Sequence, residues 1–168
     1  QFKMSEAFPS DYDEIPQLAS VHEEIRNFNI QSISVDDLVI RKIESRAELA
    51  ELKLLHKEWF PVNYDDYYFE KSYSGKIENL VVVLPTKDKD LIVGAALFKL
   101  KNADSIFYSK ELKDFISSNY CVYIMTIGVI EEFRRMRIGQ ILLNSIITKY
   151  KNNLAVKYIC LDVIDYNN

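Results

Sequence analysis

The chain has 168 residues, of which 48% are hydrophobic, with 11 Tyr and 9 Phe; that length suits one domain and that apolar share excludes a disordered chain. A formal net charge of -4 excludes the overall basic character of a nucleic-acid binder. No run approaches the ~18 apolar residues of a membrane span, and the N-terminus lacks a signal peptide's apolar core, so the expected compartment is the cytoplasm or the nucleus.

The two cysteines, Cys121 and Cys160, lie in apolar, strand-like runs and read as buried free thiols. They supply neither a disulfide framework nor a metal quartet. His22 and His56 lie in helix-like segments, away from any cysteine or carboxylate cluster. Both read as surface or half-buried side chains, and no metal site is expected.

In chain order, residues 4–13 are polar and contain Pro9. Ile15, Leu18, His22, Ile25 and Phe28 then recur at helical spacing, and Pro16 suits a first helical position. Residues 1–34 are therefore expected to form an extension with an amphipathic helix, with a linker at 31–36. The domain proper is expected at 35–168. Residues 38–43 read as a strand. Ser45-Arg-Ala-Glu48 is a capping box, followed by an apolar face of Leu49, Leu52, Leu55 and Trp59, and Pro61 stops that helix. Residues 80–84 and 91–100 form a predicted hairpin around a polar turn at 86–90. Residues 101–119 are a long polar connection with a short helix at 110–117. Residues 120–130 are the most strand-like of all. Ile138, Ile141, Leu142, Ser145 and Ile146 define one side of a helix over 137–150, and 157–164 is a last strand. The unit 120–164 is a β-α-β crossover, so its strands should be parallel and right-handed, whereas the front half is antiparallel. The fold class is a mixed α/β sheet.

One segment carries chemistry: Tyr123-Ile-Met-Thr-Ile-Gly-Val-Ile-Glu-Glu-Phe-Arg-Arg-Met-Arg-Ile-Gly-Gln140. A buried strand runs into a basic turn and then into a helix. Arg134, Arg135 and Arg137 cluster where the helix begins. The first N–H groups of a helix lack partners and the dipole there is positive, which suits a phosphate or pyrophosphate. Gly139 clears space for close approach to the backbone. On these residues alone, a solvated basic turn capping an ordinary crossover helix is an equal reading.

Arg134-Arg-Met-Arg-Ile-Gly139 is similar to the Arg/Gln-x-x-Gly-x-Gly/Ala phosphate motif of the GNAT acetyltransferases. Trp59-Phe-Pro-Val-Asn-Tyr64, Tyr123-Ile-Met-Thr-Ile-Gly-Val129 and Glu132-Phe-Arg-Arg135 resemble the San-type catalytic subunits of NatE, and also NatF. The resemblance runs from about residue 37 to 168. It implies a GNAT fold with a β-α-β acetyl-CoA-binding crossover, and an enzyme that transfers an acetyl group from acetyl-CoA to the α-amine of a protein N-terminus, Met followed by an apolar residue favoured. It implies that Phe60, Pro61, Val62, Tyr64 and Met125 receive the substrate's first residues. Tyr123 takes the base position. Ile127, Gly128 and Val129 lie along the pantetheine arm. Arg134, Arg135, Met136, Arg137, Ile138, Gly139 and Gln140 hold the pyrophosphate, and Asn167 closes on the coenzyme. The implied partners are the N-terminal peptide and auxiliary NatA-type subunits, or self-association.

Three departures from the pattern stand out. Arg137 replaces the first motif glycine, and a positive φ there would strain it. Asp162 replaces the family's histidine on the fifth strand; a carboxylate serves as a base if burial raises its pKa. The family's C-terminal helix and two further strands are not in the 168 residues, so the domain is expected to be C-terminally incomplete, with a strand edge at 157–164 open to a partner. A GNAT acting on lysine side chains or small amines, and a degenerate non-catalytic acetyl-CoA- or partner-binding module, are the alternatives.

Overall fold

A computed structural model of the chain describes residues 30–106 and 120–163, together with Glu23 and Ile25. The amphipathic helix expected before residue 30 and the short helix expected at 110–117 fall almost wholly outside these. Ile25 itself is helical and fully buried against the domain.

Residues 31–36 are not a plain linker. They hold two 3-10 turns, Ile30–Ser32 and Val35–Asp37. Ser34 and Asp37 cap the second turn reciprocally, Ser34 accepting from the Asp36 N–H and Asp37 from the Ser34 N–H. Strand β1, Val39–Arg41, is shorter than the predicted 38–43. Helix α1, Arg46–Trp59, starts where the capping box put it, with the Ser45 side chain accepting from the Glu48 N–H. The reciprocal bond goes one residue further back: Glu48 accepts from the N–H of Glu44. Glu48 also grips Arg41, which reaches Asp90 as well, so β1, α1 and the hairpin are tied by one guanidinium.

Helix α2, Asp66–Tyr73, was not anticipated. Asp65 caps it by accepting from the Tyr68 N–H at 2.8 Å. Its buried face, Tyr68, Phe69 and Ser72, is too short and too aromatic to display a helical period.

Strands β2, Glu78–Pro85, and β3, Asp90–Asn102, form the predicted hairpin, and β4, Tyr120–Val129, follows. Helix α3, Ile138–Tyr150, crosses over to β5, Val156–Leu161. The sheet order is β1-β2-β3-β4-β5; the first three pairs are antiparallel and β4-β5 is parallel. That is the mixed sheet expected from the sequence. Glu51, buried inside α1, accepts from the Ile92 N–H beside the irregularity between Val82 and Val83.

Two glycines set how closely the helices approach the sheet. A Cβ on Gly128 would meet Trp59 of α1 at 2.2 Å, and one on Gly94 would meet Ile138 of α3 at 2.8 Å. Gly94 pairs with Val129, the residue after Gly128, and successive strand residues face opposite sides. Helices α1 and α3 therefore cover opposite faces of β3–β4. Leu49, Leu52 and Leu55 from one side and Ile138, Leu142 and Ile146 from the other are essentially solvent-free. Each contributes about 1.5–3 kcal/mol of burial. Among the described residues no helix is long and apolar enough to cross a membrane.

Candidate active site

The site arises where two parallel strands part. Pairing of β4 with β5 ends at Ile124 and Leu161, but β4 runs on to Val129. Over residues 125–129 one edge of β4 is held by β3, and no strand among the described residues takes the other. This opening lies at the carboxyl ends of the parallel strands, where open α/β sheets bind ligands. A cleft of about 410 Å³ occupies it. The end of α1 and the following loop supply Trp59, Phe60, Pro61 and Tyr64; β4 supplies residues 124–129; Arg134 and residues 161–163 complete the wall.

Local irregularities shape this cleft. Leu97 pairs with Thr126 and Phe98 with Ile124, so Met125 is an extra residue in β4. A bulge of this kind re-aims a side chain, and Met125 lines the cleft. Gly128 lets the Trp59 indole lie directly on the strand. The sequence placed Trp59 on a helix face and at the head of the Trp59–Tyr64 motif but gave it no role in the site; a glycine inside an otherwise apolar strand was the signal that something approaches there.

Tyr123 and Asp162 meet at the mouth. The Tyr123 hydroxyl donates to Oδ2 of Asp162 at 2.6 Å. The bond to this carboxylate, then burial, raises the phenol to about 12. At neutral pH Tyr123 is therefore protonated and holds Asp162 by its own proton. Asp162 is exposed, so the burial on which its predicted basicity rested is missing. Lys101 Nζ sits 3.7 Å from the centre of the Tyr123 ring.

The basic turn follows. A 3-10 turn, Glu131–Phe133, leads to Arg134, whose Nε donates to the Val129 carbonyl. Arg137, which replaces a motif glycine, adopts φ 61° at the N-cap of α3, and Arg135 is also positive at φ 70°. Left-handed non-glycine residues cost on the order of 1–2 kcal/mol each. No side chain caps α3 and no acidic residue sits in its first turn. The first backbone bond of the helix is Ile141 N–H to Arg137 O, so the N–H groups of Ile138, Gly139 and Gln140 precede the ladder. A Cβ on Gly139 would meet nothing within 4 Å. Turned N–H groups, an open glycine and three exposed arginines together fit a pyrophosphate.

The other predicted site residues separate as follows. Phe60, Pro61, Tyr64, Met125, Ile127, Gly128, Val129, Arg134 and Asp162 line the cleft. Val62 is half exposed and stands outside it. The Ile138 side chain is buried against Gly94, leaving only its backbone for a ligand. Arg135, Met136, Arg137, Gly139 and Gln140 lie beyond the cleft at the head of α3. Asn167 lies outside the described residues.

Beneath the cleft is a buried polar chain that the sequence did not reveal. His56 is 1% exposed, not a surface or half-buried group as expected. Its Nδ1 lies 3.0 Å from the Leu52 carbonyl and its Nε2 3.0 Å from Thr126 Oγ1. The carbonyl can only accept, so Nδ1 carries the proton, and Nε2 accepts from the Thr126 hydroxyl. The Tyr68 hydroxyl, 3.3 Å away, donates to Thr126 in turn. The rings of Trp59, Phe60, Tyr64, Tyr68 and Phe69 surround the imidazole. Burial pushes His56 down to about 4, and burial raises Tyr64 and Tyr68. This wall is neutral and fixed at working pH.

Both cysteines are free. Cys121 is buried, but Cys160 is only half-buried, against expectation, because it sits on the sheet's last strand; the two sulfurs are 3.1 Å apart. Among the described residues no group of three His, Cys, Asp or Glu could hold a metal ion.

Comparison with known proteins gives this geometry a lineage. N-alpha-acetyltransferase 60 of Danio rerio is 30% identical over 133 residues, which are 72% of this chain and 51% of the relative. Histone acetyltransferase MCC1 of Arabidopsis thaliana is 28% identical over 132 residues, again 51% of its length. The chain thus spans about half the length of these curated relatives. Arabidopsis thaliana NAA60, solved in complex with acetyl-CoA, superposes with a TM-score of 0.67 at 25% identity, covering 78% of this chain and 77% of that one. Arabidopsis thaliana Naa50, solved with the bisubstrate analogue CoA-Ac-MVNAL, gives 0.58 at 25% identity, covering 78% and 75%. The acetyltransferase (GNAT) family model matches residues 49–168, a span that includes the cleft, the Tyr123–Asp162 pair and the α3 cradle, and the chain belongs to that family.

Proposed function

We propose that this protein transfers an acetyl group from acetyl-CoA to the α-amine of a protein N-terminus, with Met followed by an apolar residue favoured. The observation that carries the reading is the convergence, at one strand opening, of an anion cradle, an aromatic and methionine-lined pocket, and a phenol–carboxylate pair. Relatives named N-alpha-acetyltransferase and neighbours solved with acetyl-CoA or a peptide–CoA analogue support it.

Acetyl-CoA supplies the acetyl group. The turn from Arg134 to Gln140 holds its pyrophosphate, and the unpaired edge of residues 127–129 offers backbone N–H groups to the pantetheine arm and the acetyl carbonyl. Phe60, Pro61, Tyr64 and Met125 enclose the first substrate side chain. The amine then attacks the acetyl carbon, and the new C–N bond forms as the thioester C–S bond breaks. Coenzyme A leaves as a thiolate that takes a proton from solvent, and the attacking amine must lose a proton. Because Tyr123 already donates to Asp162, it accepts the amine proton on its oxygen while passing its own to Oδ2. No phenolate forms, so the raised phenol pKa is no barrier, and the exposed Asp162 carboxylate hands the proton on to solvent rather than keeping it. No covalent enzyme intermediate is required, and Cys121 and Cys160 take no part.

The test is a peptide panel with acetyl-CoA: a Met-Leu peptide with a free N-terminus, the same peptide N-acetylated with one internal lysine, and a small polyamine. Turnover confined to the free N-terminus is expected. The match to a histone acetyltransferase makes the internal lysine the informative rival, and turnover there alone would refute the reading.

A further inference from the structure

A second groove opens on the far side of Met125. It is lined by Asp65, Tyr67, Tyr68, Lys71, Lys76, Ile77, Lys99 and Met125. Met125 and the α1–α2 region line both openings, so a peptide seated in the first cleft can continue into the second. The groove's charge is distinctive in a chain of net charge -4. Three lysines face one carboxylate, and that carboxylate, Asp65, is engaged in capping α2. Lys99 is the cross-strand partner of Tyr123, and Lys101 covers the Tyr123 ring. Lys71 lies over the Tyr67 ring at 4.0 Å. Among the described residues Lys71, Lys76, Lys99 and Lys101 form no ion pair, whereas Arg41, Arg46, Lys53 and Lys149 each have a carboxylate within reach. Partial burial, with Lys101 and Lys71 nearby, lowers the Lys99 pKa, so this is a crowded cationic wall.

Lysines that outnumber the carboxylates of their groove and form no ion pair, beside a peptide site, are complementary to an acidic ligand. We infer that this lysine-lined groove binds acidic side chains of the substrate peptide downstream of its second residue, selecting N-termini followed by Asp or Glu. The inference rests on the proposed N-terminal acetylation. Residues one and two enter the aromatic cleft, and the carboxylates that follow meet Lys99, Lys71 and Lys76.

The experiment compares three free-N-terminus peptides: Met-Leu followed by two glycines, by two glutamates or by two lysines, each at low and at 0.5 M salt. The wild-type kcat/KM is expected to favour the glutamate peptide over the glycine peptide by about tenfold at low salt, equivalent to about 1.4 kcal/mol. The lysine peptide should be the poorest, and salt should compress the order. The triple variant Lys71→Gln/Lys76→Gln/Lys99→Gln, checked for an unchanged melt, is expected to turn over the glycine peptide as before and to lose the preference. Lys99→Glu should move the preference towards the lysine peptide. Equal turnover of all three peptides by the wild type overturns the acidic-substrate inference and leaves N-terminal acetylation standing. A triple variant whose acetyl-CoA KM rises while its peptide preference persists makes the groove a cosubstrate anion site, and also overturns it. Turnover of none of the peptides overturns the underlying reading.

Discussion

Between pH 6.5 and pH 4 an unfolded His56 takes up a proton that the folded one refuses. In the native chain the imidazole is enclosed by five aromatic rings, donates to Leu52, accepts from Thr126, and has its pKa pushed down to about 4 from 6.5. The folded-state value is the lower one. Below pH 6.5 the unfolded state therefore binds more protons, and stability falls as pH falls, until the folded group also titrates near 4. At 1.36 kcal/mol per pH unit the gap corresponds to about 3 kcal/mol. For a chain of this size that is about 6–12 °C in Tm. Carboxylates also titrate in this window, so the readout is a difference. Urea denaturation of wild type and His56→Gln at pH 7, 6, 5 and 4 should show the variant less stable at pH 7, by about 1–3 kcal/mol, but with a shallower loss on acidification. The difference between the two curves should shift by about 3 kcal/mol in the variant's favour across the window, so that they meet or cross by pH 4. Parallel curves would refute a buried neutral imidazole.

Three further perturbations follow from the same geometry. Gly128→Ala forces a methyl to within 2.2 Å of the Trp59 indole, and should cost about 1–3 kcal/mol in thermal melts and raise the peptide KM, with Trp59→Leu in the same chain recovering part of the stability. Arg137→Gly releases a left-handed residue at φ 61° and should stabilise by about 1 kcal/mol, while calorimetry shows weaker, less salt-dependent acetyl-CoA binding. Tyr123→Phe should lower kcat by about 10²–10⁴-fold with acetyl-CoA affinity unchanged, and adding Asp162→Asn should lower it little more, because the two act as one relay; full turnover by Tyr123→Phe would end that mechanism.

Much of the fold was legible because local signals agreed with it. The Ser45 cap, the stop at Pro61, the hairpin around 86–90 and the crossover from β4 through α3 to β5 each rest on short-range patterns. Arg137 stands where the motif has a glycine, so the sequence showed where strain would fall if the turn were left-handed; that the turn is left-handed is read only from the structure. What stayed hidden depends on tertiary neighbours. Nothing near His56 in sequence announces Thr126, seventy residues away, as its partner. The bulge at Met125 is a property of β3–β4 register, invisible in either strand alone. Helix α2 was missed because eight residues hold too few turns for a period to show. The lysine groove joins α2, the loop after it and β3, three segments whose charges look scattered when read along the chain.

The departures from local rules also fall in one place. An extra residue at Met125, an indole-crowded glycine at 128, left-handed arginines at 135 and 137, and an uncapped helix start at 138 lie within fourteen residues. Each costs stability, and the sheet and two flanking helices around them follow local rules closely enough to bear that cost. A structural module would have no reason to keep these costs together. The proposed site, which must leave a strand edge free, turn N–H groups towards an anion and admit a peptide beside them, needs all of them at once. Their concentration at the β4–β5 opening therefore supports the proposed binding and catalysis on grounds that do not depend on matching the family motif residue for residue.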